Sequence, residues 1–217
     1  MKLSYAICVC NESKDIYSLI SFLKKIKDPE DEINVLVDSA HVTPQVRSVL
    51  EYFKDDIVQN DRDFDGKFST HRNYHFEKCS GDYVFMVDAD EMPHEFLIKN
   101  FKQIIQESDA DIFWTPRINI HPGFTEEWLC KHKFCVNDMG WINWPDYICR
   151  ICKNIPTIRY SNELHEKLTG SDKHVQLPCE PRFSTWHIKS VEKQDNRWNN
   201  DGTFKCPEKD NLYDNLM

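Results

Sequence analysis

The sequence predicts an α/β protein whose sheet is mainly parallel and covered by helices on both faces. Two observations predict it. Short apolar runs rich in β-branched residues alternate with segments of helical periodicity through the first hundred residues. Several of these runs end in polar residues that carry a carboxylate. A βαβαβ alternation of this kind implies parallel strands joined by right-handed crossovers.

The elements follow in order. Leu3–Cys10 reads as a core strand; the run is short and lacks a small-residue cleavage site, so it does not read as a signal peptide. Ile16, Leu19, Ile20, Leu23 and Ile26 keep helical spacing and predict a helix from Lys14 to Lys27. Ile33–Val37 is a second strand, ending at Asp38. Thr43-Pro44 pairs a hydroxyl cap with a proline at the first turn and starts a helix whose buried stripe is Val46, Val49, Leu50 and Phe53. Ile57–Val58 predicts a short third strand, and Phe68–Cys79 a helix. The run Tyr83–Val87, bounded by Gly81 and Pro93, is a fourth, buried strand. A helix from about His94 to Ile105 and the strand Ile112–Thr115 follow. Residues 119–146 read as loop; strands return at Tyr147–Cys152 and Phe183–Ile188, with a helix starting near Ser190.

Asp88-Ala89-Asp90 is the most informative feature. Two carboxylates emerge together at the end of a buried strand, with Glu91 beside them. In open α/β sheets that edge binds ligands. Clustered carboxylates repel, and a divalent cation or a shared proton relieves the repulsion. A hard cation held by two carboxylates keeps positions open for phosphate oxygens. The plainer reading is a helix N-terminus capped by Asp90 or Glu91. Three strand ends meet at this edge: Cys10-Asn11-Glu12, Asp38-Ser39 and Asp88-Ala89-Asp90. Asp38, Asn11 and Glu12 are suited to a base N–H or a ribose hydroxyl, or to simple turns. Lys67 after Gly66, then Arg72 inside a helix, suits a diphosphate, since Arg offers a planar fork and Lys a point charge.

Composition excludes other classes. Forty per cent hydrophobic residues over 217 positions support one packed domain. The net charge of −9 is uneven: residues 1–130 carry 14 Lys and Arg against 24 Asp and Glu, residues 131–168 carry 6 against 4. Such a chain does not advertise nonspecific nucleic-acid binding, although a local basic groove fits the later segment. No apolar stretch is long enough for a membrane span, so no integral membrane association is expected. Nine scattered cysteines predict reduced thiols and a cytoplasmic protein, in the host cytoplasm if the source is viral. Cys149 and Cys152 have zinc-like spacing, but a regular strand points them to opposite faces. Trp128, Trp141 and Trp144 read either as stacking platforms or as packing under a long loop.

Several runs in this order resemble family 2 glycosyltransferases of the GT-A fold. They are Ala6–Glu12, the strand ending in Asp38, Lys67 with Arg72-Asn73, Gly81–Glu91, Trp144–Arg150, Leu164-His165-Glu166 and Trp186-His187. The resemblance implies a Rossmann-like, mixed sheet in a single domain over residues 1–217. Residues 1–118 would bind the nucleotide sugar and 119–217 the acceptor. It implies donor contacts at Cys10, Asn11, Glu12, Asp38, Lys67, Arg72, Asn73, Asp88 and Ala89. Asp88 and Asp90 would bracket Mn²⁺ or Mg²⁺, with His187 completing the site. Glu166 stands where the family's general base is found, beside His165, and Asp146 is a rival for that role. The implied reaction is inverting transfer from a nucleotide sugar, UDP-linked by preference, to an acceptor hydroxyl. The acceptor is either a glycan of lipopolysaccharide-core type or a hydroxymethylated pyrimidine in viral DNA. Cys10 and the run Asp38-Ser39-Ala40-His41 depart from the commoner family pattern. A haloacid-dehalogenase-like phosphatase is disfavoured, because three strands precede the motif and Glu91-Met92-Pro93 follow it. A nucleotidyltransferase and a non-catalytic nucleotide-sugar-binding protein remain as alternatives.

Overall fold

A computed structural model describes residues 1–163 and 166–196. The first half builds β1 (Leu3–Val9), α1 (Ser13–Ile26), β2 (Glu32–Asp38), α2 (Pro44–Tyr52), β3 (Val58–Arg62), α3 (Phe68–Lys78) and β4 (Tyr83–Asp88). β5 (Glu91–Pro93), α4 (Glu95–Gln106), β6 (Ile112–Ile120), α5 (Glu126–His132) and β7 (Ile142–Lys153) come next. β8 (Arg159–Ser161), β9 (Lys167–Thr169), β10 (His174–Gln176), β11 (Thr185–Ile188) and α6 (Val191–Asp195) complete the described chain.

The local reasons are those of the sequence. α1 buries Ile16, Leu19, Ile20 and Leu23 on one face. α2 starts where Thr43 accepts the Val46 N–H, with Pro44 in its first turn. β1, β2 and β4 are buried almost throughout, as strands covered on both faces must be. Gly81 lets the turn before β4 lie against β1, because a Cβ there would meet the Ser4 nitrogen at 2.6 Å.

The main sheet runs β3-β2-β1-β4-β7-β6-β11-β5, with β10 added beside β6. β3, β2, β1 and β4 are parallel. β7 inserts antiparallel between β4 and β6, which makes the sheet mixed and carries it through both halves of the chain. One apolar cluster packs α1, α2 and α4 on the sheet, around Tyr5, Phe85, Phe101 and Phe113. A smaller one, around Val84, Met86, Ile112 and Tyr160, lies under α3 and β8.

Several expectations are corrected. The third strand is Val58–Arg62 rather than Ile57–Val58; its polar sequence suits an edge strand, and hydrophobicity does not show it. Residues 119–146 are not simply loop, since β6 reaches Ile120, α5 spans Glu126–His132 and β7 begins at Ile142. Phe183 belongs to a 3₁₀ turn, Pro181–Phe183, that precedes β11. Cys149 and Cys152 both pack into the second cluster, and not on opposite faces. The cause is a bulge: Phe113 pairs with Ile151 and Trp114 with Cys149, so Arg150 is the extra residue in the ladder. The eight described cysteines are free thiols.

His75, fully buried on α3, points Nε2 at the Asn34 carbonyl and side-chain oxygens, each 3.2 Å away. Burial pushes His75 down to about 3 and His71 to about 4, so both are neutral in the fold. In the unfolded chain a histidine takes up its proton near pH ~6.5. The unfolded state therefore binds more protons below that pH, and stability falls as pH drops toward about 4. Denaturant unfolding at a series of pH values should show this slope, and His75→Gln should flatten it.

Candidate active site

The carboxyl end of β4 and the start of β5 bring three acids within four residues. Asp88 closes β4, Glu91 opens β5, and the Glu91 carboxylate accepts the Asp88 N–H at 3.2 Å. Each Asp88 oxygen meets a guanidinium: Arg72 Nη2 at 2.9 Å on Oδ1 and Arg150 Nη2 at 2.6 Å on Oδ2. Arg72 comes from α3, lies over the Tyr160 ring, and donates from Nε to Glu166 at 2.7 Å. Arg150 is the bulged residue of β7, so the irregularity in the ladder carries a cation to the motif. Glu91, almost fully buried, is paired with Arg117 of β6 at 3.2 Å. Arg117 also donates from Nε and Nη2 to one oxygen of Asp146, 3.0 and 2.5 Å away.

Asn119 continues the chain. Its amide N–H donates to that same Asp146 oxygen at 2.8 Å, so its Oδ1 faces His187 Nδ1 at 2.9 Å. Asp146 can only accept from Asn119 here, which fixes the amide and makes His187 Nδ1 a donor to it. The other ring nitrogen, Nε2, faces Asp90 Oδ2, 3.6 Å away. Lys193 of α6 reaches that Asp90 oxygen at 2.9 Å.

Electrostatics decides the protonation states. Burial alone would raise the Asp88 carboxyl, but Arg150 and Arg72 outweigh it and hold Asp88 well below the usual carboxylate range. Asp90 is partly buried, and Lys193, His187 and Lys189 outweigh that desolvation and hold it well down. Asp146 is lowered against its burial by Arg117 and Asn119. One donor stands out: Arg72 Nη1 is buried with no hydrogen-bond partner among the described residues. A buried guanidinium N–H left over beside an acidic motif is a place for an anionic ligand oxygen.

A family model described as Glycosyl transferase family 2 matches residues 4–166. This chain belongs to glycosyltransferase family 2. Among solved structures it is similar to S. aureus TarS 1-349, with a TM-score of 0.61 and 16% identity over 87% of this chain and 60% of that chain. TarS 1-349 in complex with UDP-GlcNAc gives 0.62 and 18% identity over 87% and 59%. The chain thus spans about 60% of the length of those structures, and the likeness is one of fold. Among curated proteins none matches.

Against the family reading, the structure gathers Arg72, Asp88, Asp90, Asp146, Glu166 and His187 into one chain of hydrogen bonds and ion pairs. Other expected donor contacts are used internally. Glu12 folds back to accept the Cys10 and Asn11 N–H groups at 3.1 and 3.0 Å. Asp38 accepts the Ala40 and Phe64 N–H groups, both at 3.1 Å, and pairs with His41. Asn73 gives both ends of its amide to the Tyr160 backbone, at 2.9 and 2.8 Å, and so pins β8 against α3. Lys67 pairs with Glu163 on the exposed surface, and Ala89 is buried. His165 lies outside the described residues.

Arg117, Asn119 and Lys193 are the members that sequence reasoning did not place, and Arg150 lay in the Trp144–Arg150 resemblance without a role. The alternation Arg117-Ile118-Asn119 in an apolar strand was the available signal for two of them. Arg117→Met should destabilise the fold by about 3 kcal/mol, because it strips the main cation from buried Glu91. Adding Glu91→Gln should recover part of that loss, as chemical denaturation of the single and double variants would report.

Proposed function

We propose that this chain is a metal-dependent, inverting glycosyltransferase that moves a sugar from a UDP-sugar to an acceptor hydroxyl. The observation that carries the reading is the convergence of Asp90 and His187, 3.6 Å apart, two residues from the Asp88 that Arg72 holds. His187 offers Nε2 and Asp90 a carboxylate, a donor pair that suits Mn²⁺ or Mg²⁺. Among the described residues no group of three or more His, Cys, Asp or Glu side chains is placed to hold a metal ion by itself. That incompleteness fits a cation whose remaining positions go to phosphate oxygens and water. When bound, it would neutralise the charge growing on the departing diphosphate.

The chain's own residues supply the rest. Arg72 presents its leftover N–H to a donor oxygen. Arg150 and Arg117 hold the Asp88, Glu91 and Asp146 carboxylates in place. Glu166, joined to Arg72, takes the proton from the acceptor hydroxyl as that oxygen attacks the anomeric carbon. Asp146 is the weaker base, because a single oxygen of it already accepts three N–H bonds. Its place is to orient His187 through Asn119.

TarS, the similar structure, is solved with UDP-GlcNAc, which supports a uridine donor here. Residues 1–118 then form the donor half and 119–217 the acceptor half. A glycan hydroxyl is favoured over DNA as acceptor. Lys131, Arg150 and Lys153 are already paired with Asp195, Asp88 and Asp111, which leaves little of a basic groove. Trp141, Trp144 and Trp186 instead form a half-buried aromatic cluster, with ring centroids 5.1 and 6.1 Å apart.

A thermal-shift panel of nucleotide sugars with Mn²⁺ or with EDTA tests the class. A UDP-sugar should stabilise the protein only with the metal; no response to any nucleotide sugar would overturn the reading. Asp90→Asn should abolish metal-dependent transfer while the fold persists, and unchanged turnover at saturating Mn²⁺ would count against the metal site. Glu166→Gln should lower kcat by about 10²–10⁴-fold with donor KM little changed. If Asp146→Asn gives that pattern instead, Asp146 is the base.

A further inference from the structure

Lys193 is placed where the cation of the preceding reading has to act. Its ammonium is 2.9 Å from Asp90 Oδ2, and His187 Nε2 is 3.6 Å from that same oxygen. An ammonium and a divalent cation cannot both occupy one carboxylate oxygen without strong repulsion. The helix that carries Lys193 is anchored elsewhere. Ser190 caps its start, and Asp195 accepts from Trp128 Nε1 at 2.9 Å and from His132 at 2.7 Å. α6 can therefore stay docked on α5 while the four-carbon stem of Lys193 turns. Lysine suits such a task, being a point charge on a flexible chain, whereas arginine would impose a fixed fork.

We propose that Lys193 and the divalent cation are alternate counter-ions of Asp90. Without metal, Lys193 neutralises the carboxylate and keeps the loop between β4 and β5 in place. When the cation arrives, Lys193 gives up Asp90 and turns to a diphosphate oxygen of the donor. Any oxygen held by a cation on Asp90 lies within the sweep of this side chain. No bond is made or broken; one ion pair replaces another. The proposal rests on the metal reading above, and its test separates the two.

Mn²⁺ affinity is measured without nucleotide, from the loss of the free-ion EPR signal, for the full chain and for Lys193→Met. UDP affinity is then measured by calorimetry in saturating Mn²⁺. Removing the competitor should tighten Mn²⁺ binding by about fivefold or more, and removing the phosphate contact should weaken UDP by a similar factor. Lys99→Met removes the same charge from an exposed pair with Glu95 on α4 and should change neither affinity. Equal Mn²⁺ affinity in the natural chain and Lys193→Met overturns the exchange and leaves the metal site standing. Unchanged UDP affinity in Mn²⁺ overturns the phosphate contact. Failure of either protein to bind Mn²⁺ overturns both the metal reading and the exchange. Circular dichroism checks that Lys193→Met is folded, and Lys193→Gln repeats the comparison if it is not.

Discussion

The crowding of acids at one sheet edge is the constraint on which the rest of the site depends. Asp88, Asp90 and Glu91 stand within four residues, and Asp146 and Glu166 come up to them from β7 and the β8–β9 connection. Removing five carboxylates from bulk water is costly, and left to themselves they would protonate. The protein answers with interleaved cations. Arg72 lies between Glu166 and Asp88, Arg150 beside Asp88, Arg117 between Glu91 and Asp146, and Lys193 on Asp90. The resulting chain ties α3, β4, β5, β6, β7 and α6 together through charge. Packing of the apolar clusters sets where the strands run; this ionic chain sets where the side chains at their ends can point.

The topology makes that chain attainable. A purely parallel sheet would bring only strand ends to the edge. Here β7 runs antiparallel between β4 and β6, so its own length passes beside the motif. Asp146 lies opposite Arg117 in that ladder, and four residues later the bulge leaves Arg150 free of the pleat's alternation to reach Asp88. A regular strand would have fixed Arg150 by parity alone. The single extra residue therefore couples the second half of the chain to the first at the place where chemistry is proposed.

What was legible in the sequence follows from this division. Strands and helices of the first half were readable because burial there leaves a periodic apolar record, as in the Ile16–Leu23 stripe of α1 and the Tyr83–Val87 run. β3 was misplaced because an edge strand of sequence Val-Gln-Asn-Asp-Arg carries no such record. The motif at residues 88–90 was read from two carboxylates at the end of a buried strand, and its association with Arg72, Glu166 and His187 through family resemblance, which keeps order along the chain. The counter-ions were harder. Nothing local distinguishes Arg150 from any strand arginine until the bulge is known. Lys193, two turns of chain beyond His187, gains its meaning only from the approach of α6 to Asp90. Glu12 and Asp38 looked equally suited to a ligand and to their own backbone, and the folded chain uses both of them, and Asn73, on backbone N–H or carbonyl groups.

The two aspartates of the motif, alike in sequence, are treated differently. Asp88 is clamped by two guanidiniums on separate oxygens, an arrangement with fixed geometry and little freedom to dissociate. Asp90 has a lysine and an imidazole nitrogen facing one oxygen, partners that can be exchanged or shared. A site meant only to hold the loop would gain from arginine at both. A site meant to admit and release a cation needs one carboxylate that never moves and one whose counter-ion can leave. The rigid member then fixes the backbone of the turn, so that whatever replaces Lys193 finds Asp90 and His187 already in place. Preorganisation of this kind means that binding need not order the ligands at the moment the cation arrives. The difference between arginine and lysine, at positions two residues apart in the motif they serve, is thus the physical distinction between holding a site and operating it.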